Sequence, residues 1–265
     1  MTASVIILVL LSALFHAFWN YLSKVSYSPQ LFLAWVAIVN IAISIAVFLV
    51  RTPMIPSSIW VYIIASGIVH FFYLVSLSQA YTLGEISYVY PIARSAPGLI
   101  PIFAVLILHE KISWQGILGI SCTLVSVYMF IQPEGLWTLP KLLEYLKKPE
   151  AIWSFSTLGT IIVYSILDKK GMSEFYNQVG GSDIVNAVVY LLAESLLSAG
   201  LYVGYVFYRF PWREIVTIGQ HSGVQIFIST LLKISSYSLI LYALMTESVS
   251  YISAIRQFSV IFVVL

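Results

Sequence analysis

Apolar residues in this chain come in long blocks separated by short polar turns, with no sustained alternation of apolar and polar positions. About 20 mainly apolar residues form a helix that spans a bilayer. By that ruler the pattern predicts nine spans: Ala3–Leu22, Leu31–Val50, Ile59–Tyr81, Ile86–Leu108, Trp114–Ile131, Ala151–Leu167, Ile184–Tyr208, Val224–Leu244 and Val249–Leu265. Connections such as RTPMIPSS and HEKIS are short, which makes consecutive helices antiparallel neighbours. The one long polar segment, Gln132 to Glu150, predicts a short surface helix at 133–150 between two halves, 1–132 and 151–265.

Polar residues inside the spans mark where chemistry is expected. The fourth span carries Pro91, Pro97 and Pro101, each of which frees the carbonyl four residues earlier, and with Tyr90 and Arg94 they share one helical face. Irregular backbone and an ionisable group at mid-depth survive only when buried in protein or lining a wet cavity, so this span is expected to be a kinked, cavity-lining helix. The first span has a stripe of Ser12, His16, Trp19, Asn20 and Ser23 leading to Lys24. Asn40 and His70 read as helix-to-helix hydrogen bonds, and Gly116, Gly119 and Cys122 as a packing seam.

Glu194 lies near the middle of the seventh span, flanked by Tyr190 and Ser198; Lys233 sits in the eighth with Ser229, Thr230, Ser236 and Tyr237; Arg256 lies in the ninth between Ser253 and Ser259. Four such charges facing lipid would cost on the order of 10 kcal/mol, so they are expected to face inward. Three cations against one anion leave a surplus of positive charge, which points to an anionic or zwitterionic solute unless carbonyls and hydroxyls solvate the excess. Glu194 and Lys233 are candidates for a switchable pair or proton site.

Composition narrows the classes. Of 265 residues 60% are hydrophobic and 9% charged, which excludes a soluble globule, and a scattered net charge of +2 does not suit nucleic acid. Cys122 is the single cysteine, so no intrachain disulfide or multi-thiolate metal site can form. No HExxH, Asp-rich turn or phosphate-cradling glycine loop is found, so neither metal nor cofactor is expected, and an integral-membrane enzyme or a lipid-linked-substrate flippase is the alternative reading rather than the leading one. The first apolar run has no Lys or Arg ahead of it and reads as a retained helix, which fits a bacterial inner (plasma) membrane.

The halves resemble one another. AYTLGEISYVYPIAR from Ala80 lies over ALMTESVSYISAIR from Ala243, and WNYLSK at Trp19–Lys24 lies over YSILDK at Tyr164–Lys169. A five-helix unit repeated in tandem is inverted in the membrane, an arrangement found in secondary transporters. Ten helices are then expected, and the chain stops inside the ninth apolar run, so the last is expected to be missing.

HAFWNxxxK in the first span, AxxxGExSYVYPIARSAP around the fourth, HEKIS after it and SYISAIRQFSV in the ninth resemble the EamA-like branch of the drug/metabolite transporter superfamily. The resemblance implies an all-α, ten-helix inverted-repeat (5+5) fold, a cytoplasmic N-terminus, and alternating access around a central cavity for a small polar metabolite such as an amino acid. It places the substrate at Tyr90, Pro91, Arg94, Pro97, Tyr251, Arg256 and Gln257, with His16, Trp19 and Asn20 beside them. It makes Glu110 a structural residue at the membrane edge.

Overall fold

The computed structural model describes residues 1–85, 89, 92–93, 95–131, 147–259 and 262, with backbone alone at 123–124 and 126–131. Nine α-helices lie among the described residues: α1 (Ala3–Val25), α2 (Pro29–Arg51), α3 (Trp60–Leu83), α4 (Ala96–Leu108), α5 (Trp114–Ile131), α6 (Pro149–Val179), α7 (Ile184–Arg209), α8 (Trp212–Thr246) and α9 (Val249–Arg256). A single 3-10 turn, Ser57–Ile59, precedes α3. Six of these helices are long and apolar enough to cross a membrane, and α4 is a shorter apolar one.

Local chemistry sets the boundaries. Pro29 and Pro149 open α2 and α6 where no helical N–H is needed. Asp183 Oδ1 accepts from Val185 N at 2.8 Å to cap α7. Gly180 ends α6 at φ 78°, in the left-handed region that glycine enters without strain.

Three elements differ from expectation. The sixth helix does not stop at Leu167 but continues twelve residues to Val179, because its charged end still packs: Met172 and Phe175 are buried. The eighth begins at Trp212 and bends at Ser222 (φ −118°, ψ 17°) before its apolar part. The fourth span is interrupted at Ser95, and α4 proper starts at Ala96 with Pro97 in its first turn. The connecting helix expected at 133–150 falls largely outside the described residues.

Between apolar helices in lipid, association rests on close packing and on hydrogen bonds. Ser12 Oγ donates to the Ser236 carbonyl at 2.7 Å and Ser236 Oγ returns the bond to the Ser12 carbonyl at 2.9 Å, clasping α1 to α8. Trp35 Nε1 donates to the Ile215 carbonyl at 2.7 Å, where a Cβ on Gly219 would come within 2.5 Å of the indole. Gly116 lies so close to the Tyr251 ring that a Cβ would sit 2.7 Å away, which gives the expected small-residue seam a packing role at that position. Asn40 does not form the interhelical bond expected of it: its carbonyl accepts from Ser44 within α2, and its Nδ2 has no partner.

The longest contacts run between α3 and α6, α1 and α8, and α2 and α7; others join α3 to α7, α2 to α8, α4 to α6, α1 to α9 and α4 to α9. α1, α3, α6, α7 and α8 therefore surround a common centre.

Candidate functional site

Ile161, Tyr164, Ser165 and Asp168 follow one another at helical spacing along the inner face of α6. Asp168 has no exposed surface. Its carboxylate accepts from three hydroxyls on three other helices or turns: Ser66 Oγ of α3 at 2.6 Å, Tyr190 OH of α7 at 3.0 Å, and Tyr237 OH of α8. This is a fully supplied acceptor, the condition under which a buried carboxylate is tolerated.

Glu194, on α7, is only 2% exposed and differently served. Its Oε1 has no hydrogen-bond donor, and His70 Nδ1 stands 3.4 Å away. That ring nitrogen is directed instead at the Ser66 carbonyl, 3.1 Å away; a carbonyl can only accept, so Nδ1 carries the proton. The His70 ring stacks on Tyr164 with centroids 4.1 Å apart and meets Tyr73 and Tyr237 edge-on. His70 is thus part of the central cluster and not the simple interhelical link expected from the sequence.

Arg256 reaches the same centre from α9. Its Nη2 lies 3.0 Å from His16 Nδ1, its guanidinium sits 5.4 Å from the centroid of the Tyr237 ring, and its Nε has no partner. Trp19 Nε1 donates to the same His16 Nδ1 at 3.1 Å. Asn20 Nδ2, also a donor, stands 3.0 Å from the other ring nitrogen, Nε2, so donors face the imidazole on both sides. Asn20 fixes this group from behind, donating to the His16 carbonyl at 2.7 Å and accepting from Tyr81 OH at 2.7 Å.

Two small cavities adjoin these groups. One, with about 30 Å³ of water-accessible space, is lined by His16, Trp19, His70, Glu194, Lys233 and their aromatic neighbours. The other, about 40 Å³, lies toward α4 and α9 and is lined by Pro97, Ser165, Ser253, Gln257 and apolar side chains. Tyr237 and Arg256 line both.

Of the residues singled out from the sequence, His16, Trp19, Glu194, Lys233 and Arg256 meet at the first cavity, and Pro97, Arg256 and Gln257 at the second. Asn20 stands behind His16. Tyr251 lies elsewhere: its hydroxyl accepts from Ser113 N at 3.0 Å at the α4–α5 turn. Tyr90, Pro91 and Arg94 lie outside the described residues. Glu110 takes up a structural position, accepting from Val249 N at 2.8 Å and Ser250 Oγ at 2.7 Å at the start of α9. Lys233 shares its cavity with Glu194 yet forms no ion pair among the described residues. Among the described residues no three of His, Cys, Asp or Glu gather closely enough to hold a metal ion.

Asp168 is the central residue the sequence reading passed over. Its place after an apolar run, beside Lys169 and Lys170, resembles a membrane edge; the spacing from Tyr164 and Ser165 was the signal that could have found it.

The sequence model of the EamA-like transporter family matches residues 3–132. A protein solved by crystallography, 16% identical, aligns over 98% of this chain and 97% of its own with a TM-score of 0.53, which shows a shared fold. No curated protein matches the chain.

Proposed function

This chain belongs to the EamA-like transporter family, part of the drug/metabolite transporter superfamily, and from that membership we propose that it is a secondary transporter for a small zwitterionic metabolite such as an amino acid. It is a multi-pass integral membrane protein, and we propose a bacterial inner membrane as its location. The observation that carries the substrate reading is the buried Glu194 Oε1 without a donor, in one cavity with Lys233 and Arg256.

Charge counting sharpens the reading. With Asp168 included, the described centre holds two carboxylates, Asp168 and Glu194, and two cations, Lys233 and Arg256. The surplus of positive charge that favoured an anion disappears among these residues. A solute that brings one charge of each sign suits the balance, its ammonium at Glu194 and its carboxylate between Lys233 and Arg256. Buried charges of opposite sign that do not pair with each other are costly until something else pairs with them. The same groups are the candidates for proton coupling.

The packing supports two repeats, α1–α5 and α6–α9, in an inverted arrangement. Adding five to each helix number turns the α1–α8 contact into α6–α3, and α3–α7 into α8–α2; all four are observed. Alternating access would then rock one unit against the other.

The test is ligand stabilisation followed by transport. The detergent-purified protein is melted with each of the twenty standard amino acids, their des-amino carboxylates and their decarboxylated amines, since a ligand that binds the native state raises its melting temperature. Zwitterions alone should raise it, and Glu194→Gln should remove the effect and reduce counterflow in proteoliposomes more than tenfold. Equal stabilisation by the carboxylates would replace the zwitterion with an anion. Undiminished counterflow by Glu194→Gln would remove the site.

A further inference from the structure

Neither cavity in the centre can hold a metabolite. A water molecule needs roughly 10–15 Å³ of such space, so 30 and 40 Å³ hold about two or three waters each. Whatever accommodates a solute here must be made by moving a side chain.

The two cavities meet at two side chains, Tyr237 and Arg256, which line both of them. The phenol of Tyr237 is tied by its hydroxyl to Asp168 and covered on its face by the Arg256 guanidinium, 5.4 Å from the ring centroid. Arg256 is tied in turn to His16 Nδ1 at 3.0 Å, while its Nε has no partner. The ring is therefore a wall with one polar anchor, and the anchor is a carboxylate that keeps two other donors, Ser66 and Tyr190, when Tyr237 leaves. Because of those two, letting go does not strand a bare buried charge, whereas a carboxylate held by Tyr237 alone would resist release.

We propose that Tyr237 partitions one solute chamber into the two cavities seen here, and that Asp168 is the positioning residue that holds the partition shut. Swinging the phenol away from Asp168, with Arg256 following, joins the space beside Glu194 and Lys233 to the space beside Pro97, Ser253 and Gln257. This inference rests on the transporter reading for the word solute, and on the cavities and contacts for the rest. Asp168 touches no solute in this scheme; it acts through Tyr237.

The probe is a methanethiosulfonate carrying a trimethylammonium group, an ion about as large as a small metabolite and too large for either cavity. In a Cys122→Ala background, Ser195→Cys reports on the first cavity and Ser253→Cys on the second. Ser44→Cys, buried in α2 and lining neither cavity, reports on general loosening. Labelling rates are measured on the purified protein, with melting temperatures alongside. Tyr237→Phe, which keeps the ring and loses the anchor, should speed labelling at Ser195→Cys and Ser253→Cys at least threefold. Tyr237→Ala should speed both more than tenfold, and Ser44→Cys should stay unchanged in each.

Equal acceleration at all three positions would overturn the proposal, since a merely structural tether loosens the whole core. No acceleration at either cavity would overturn it as well. If Tyr237→Phe does not fold, Asp168→Asn carries the same test, because its amide is a weaker acceptor of nearly the same shape. Labelling needs no substrate, so a failed partition leaves the transporter reading standing, and that reading falls separately with the Glu194→Gln counterflow result.

Discussion

Lys24, near the end of α1, donates to the carbonyls of Tyr81 and Gly84 where α3 ends, and Lys169 in α6 donates to the carbonyl of Leu244 near the end of α8 at 2.7 Å. Both lysines occupy the same place in the WNYLSK and YSILDK alignment, and Tyr81 and Leu244 occupy the same place in the alignment that starts at Ala80 and Ala243. One residue earlier the halves diverge. Ser23 donates to the Trp19 carbonyl within its own helix, whereas Asp168 gathers hydroxyls from α3, α7 and α8. Carrying the same register back along α3 and α8 sets His70 opposite Lys233. The two places share a mechanical joint and differ in their charged chemistry.

Exchanging the divergent residue should have the largest effect. Asp168→Ser, which copies Ser23 into the second half, strips three hydroxyls of a charged acceptor. Hydrogen bonds to charged groups contribute about 1.5–3 kcal/mol each, so a loss of at least about 3 kcal/mol is expected in unfolding of the purified protein, together with loss of transport. Ser23→Ala should cost far less in the same assay.

The shared joints come next. Lys24→Met and Lys169→Met should each lower stability by about 1–2 kcal/mol, discounted because both ammonium groups are only part-buried. The two losses should be similar and should add in the double variant, since the sites share no partner. Unequal losses would show that the mechanical likeness is only geometric.

Smaller still is the clasp between Ser12 and Ser236; at the place in α6 that matches Ser12, Thr157 bonds back to the Trp153 carbonyl. Ser236→Ala should cost about 0.6 kcal/mol, near the average measured for hydrogen bonds between membrane helices. A double-mutant cycle with Ser12→Ala would show the coupling.

The helices were legible because a bilayer imposes a length and an apolarity on every crossing segment: the nine predicted runs correspond in order to the nine helices among the described residues, six of which are long and apolar enough to cross a membrane. What hydropathy cannot register is a charge that stays inside a helix longer than its apolar part. Asp168 is the case: the apolar run ends at Leu167, but the helix continues to Val179. Glu194, Lys233 and Arg256 were visible because each interrupts an apolar run, and interruption by charge is what the cost of burial makes conspicuous. Likeness of motif puts Tyr251 at the cavity, but five residues from Arg256 it lies well round the helix from it and faces the α4–α5 turn. The bend at Ser222 has no proline to announce it, only Gly223 beside it.

Glu110 bears on how the chain is made. The helix it caps, α9, has no side-chain cap of its own from Ser248, so the N–H of Val249 takes a carboxylate that lies 139 residues earlier in the sequence. At a synthesis rate of roughly 5–20 residues per second, the ribosome needs on the order of ten seconds to deliver that partner. Until then Glu110 is without the Val249 and Ser250 donors it has in the folded chain. Arrival of α9 ties the end of α4 to the start of a helix made much later, a long-range contact of the kind that forms slowly in any fold.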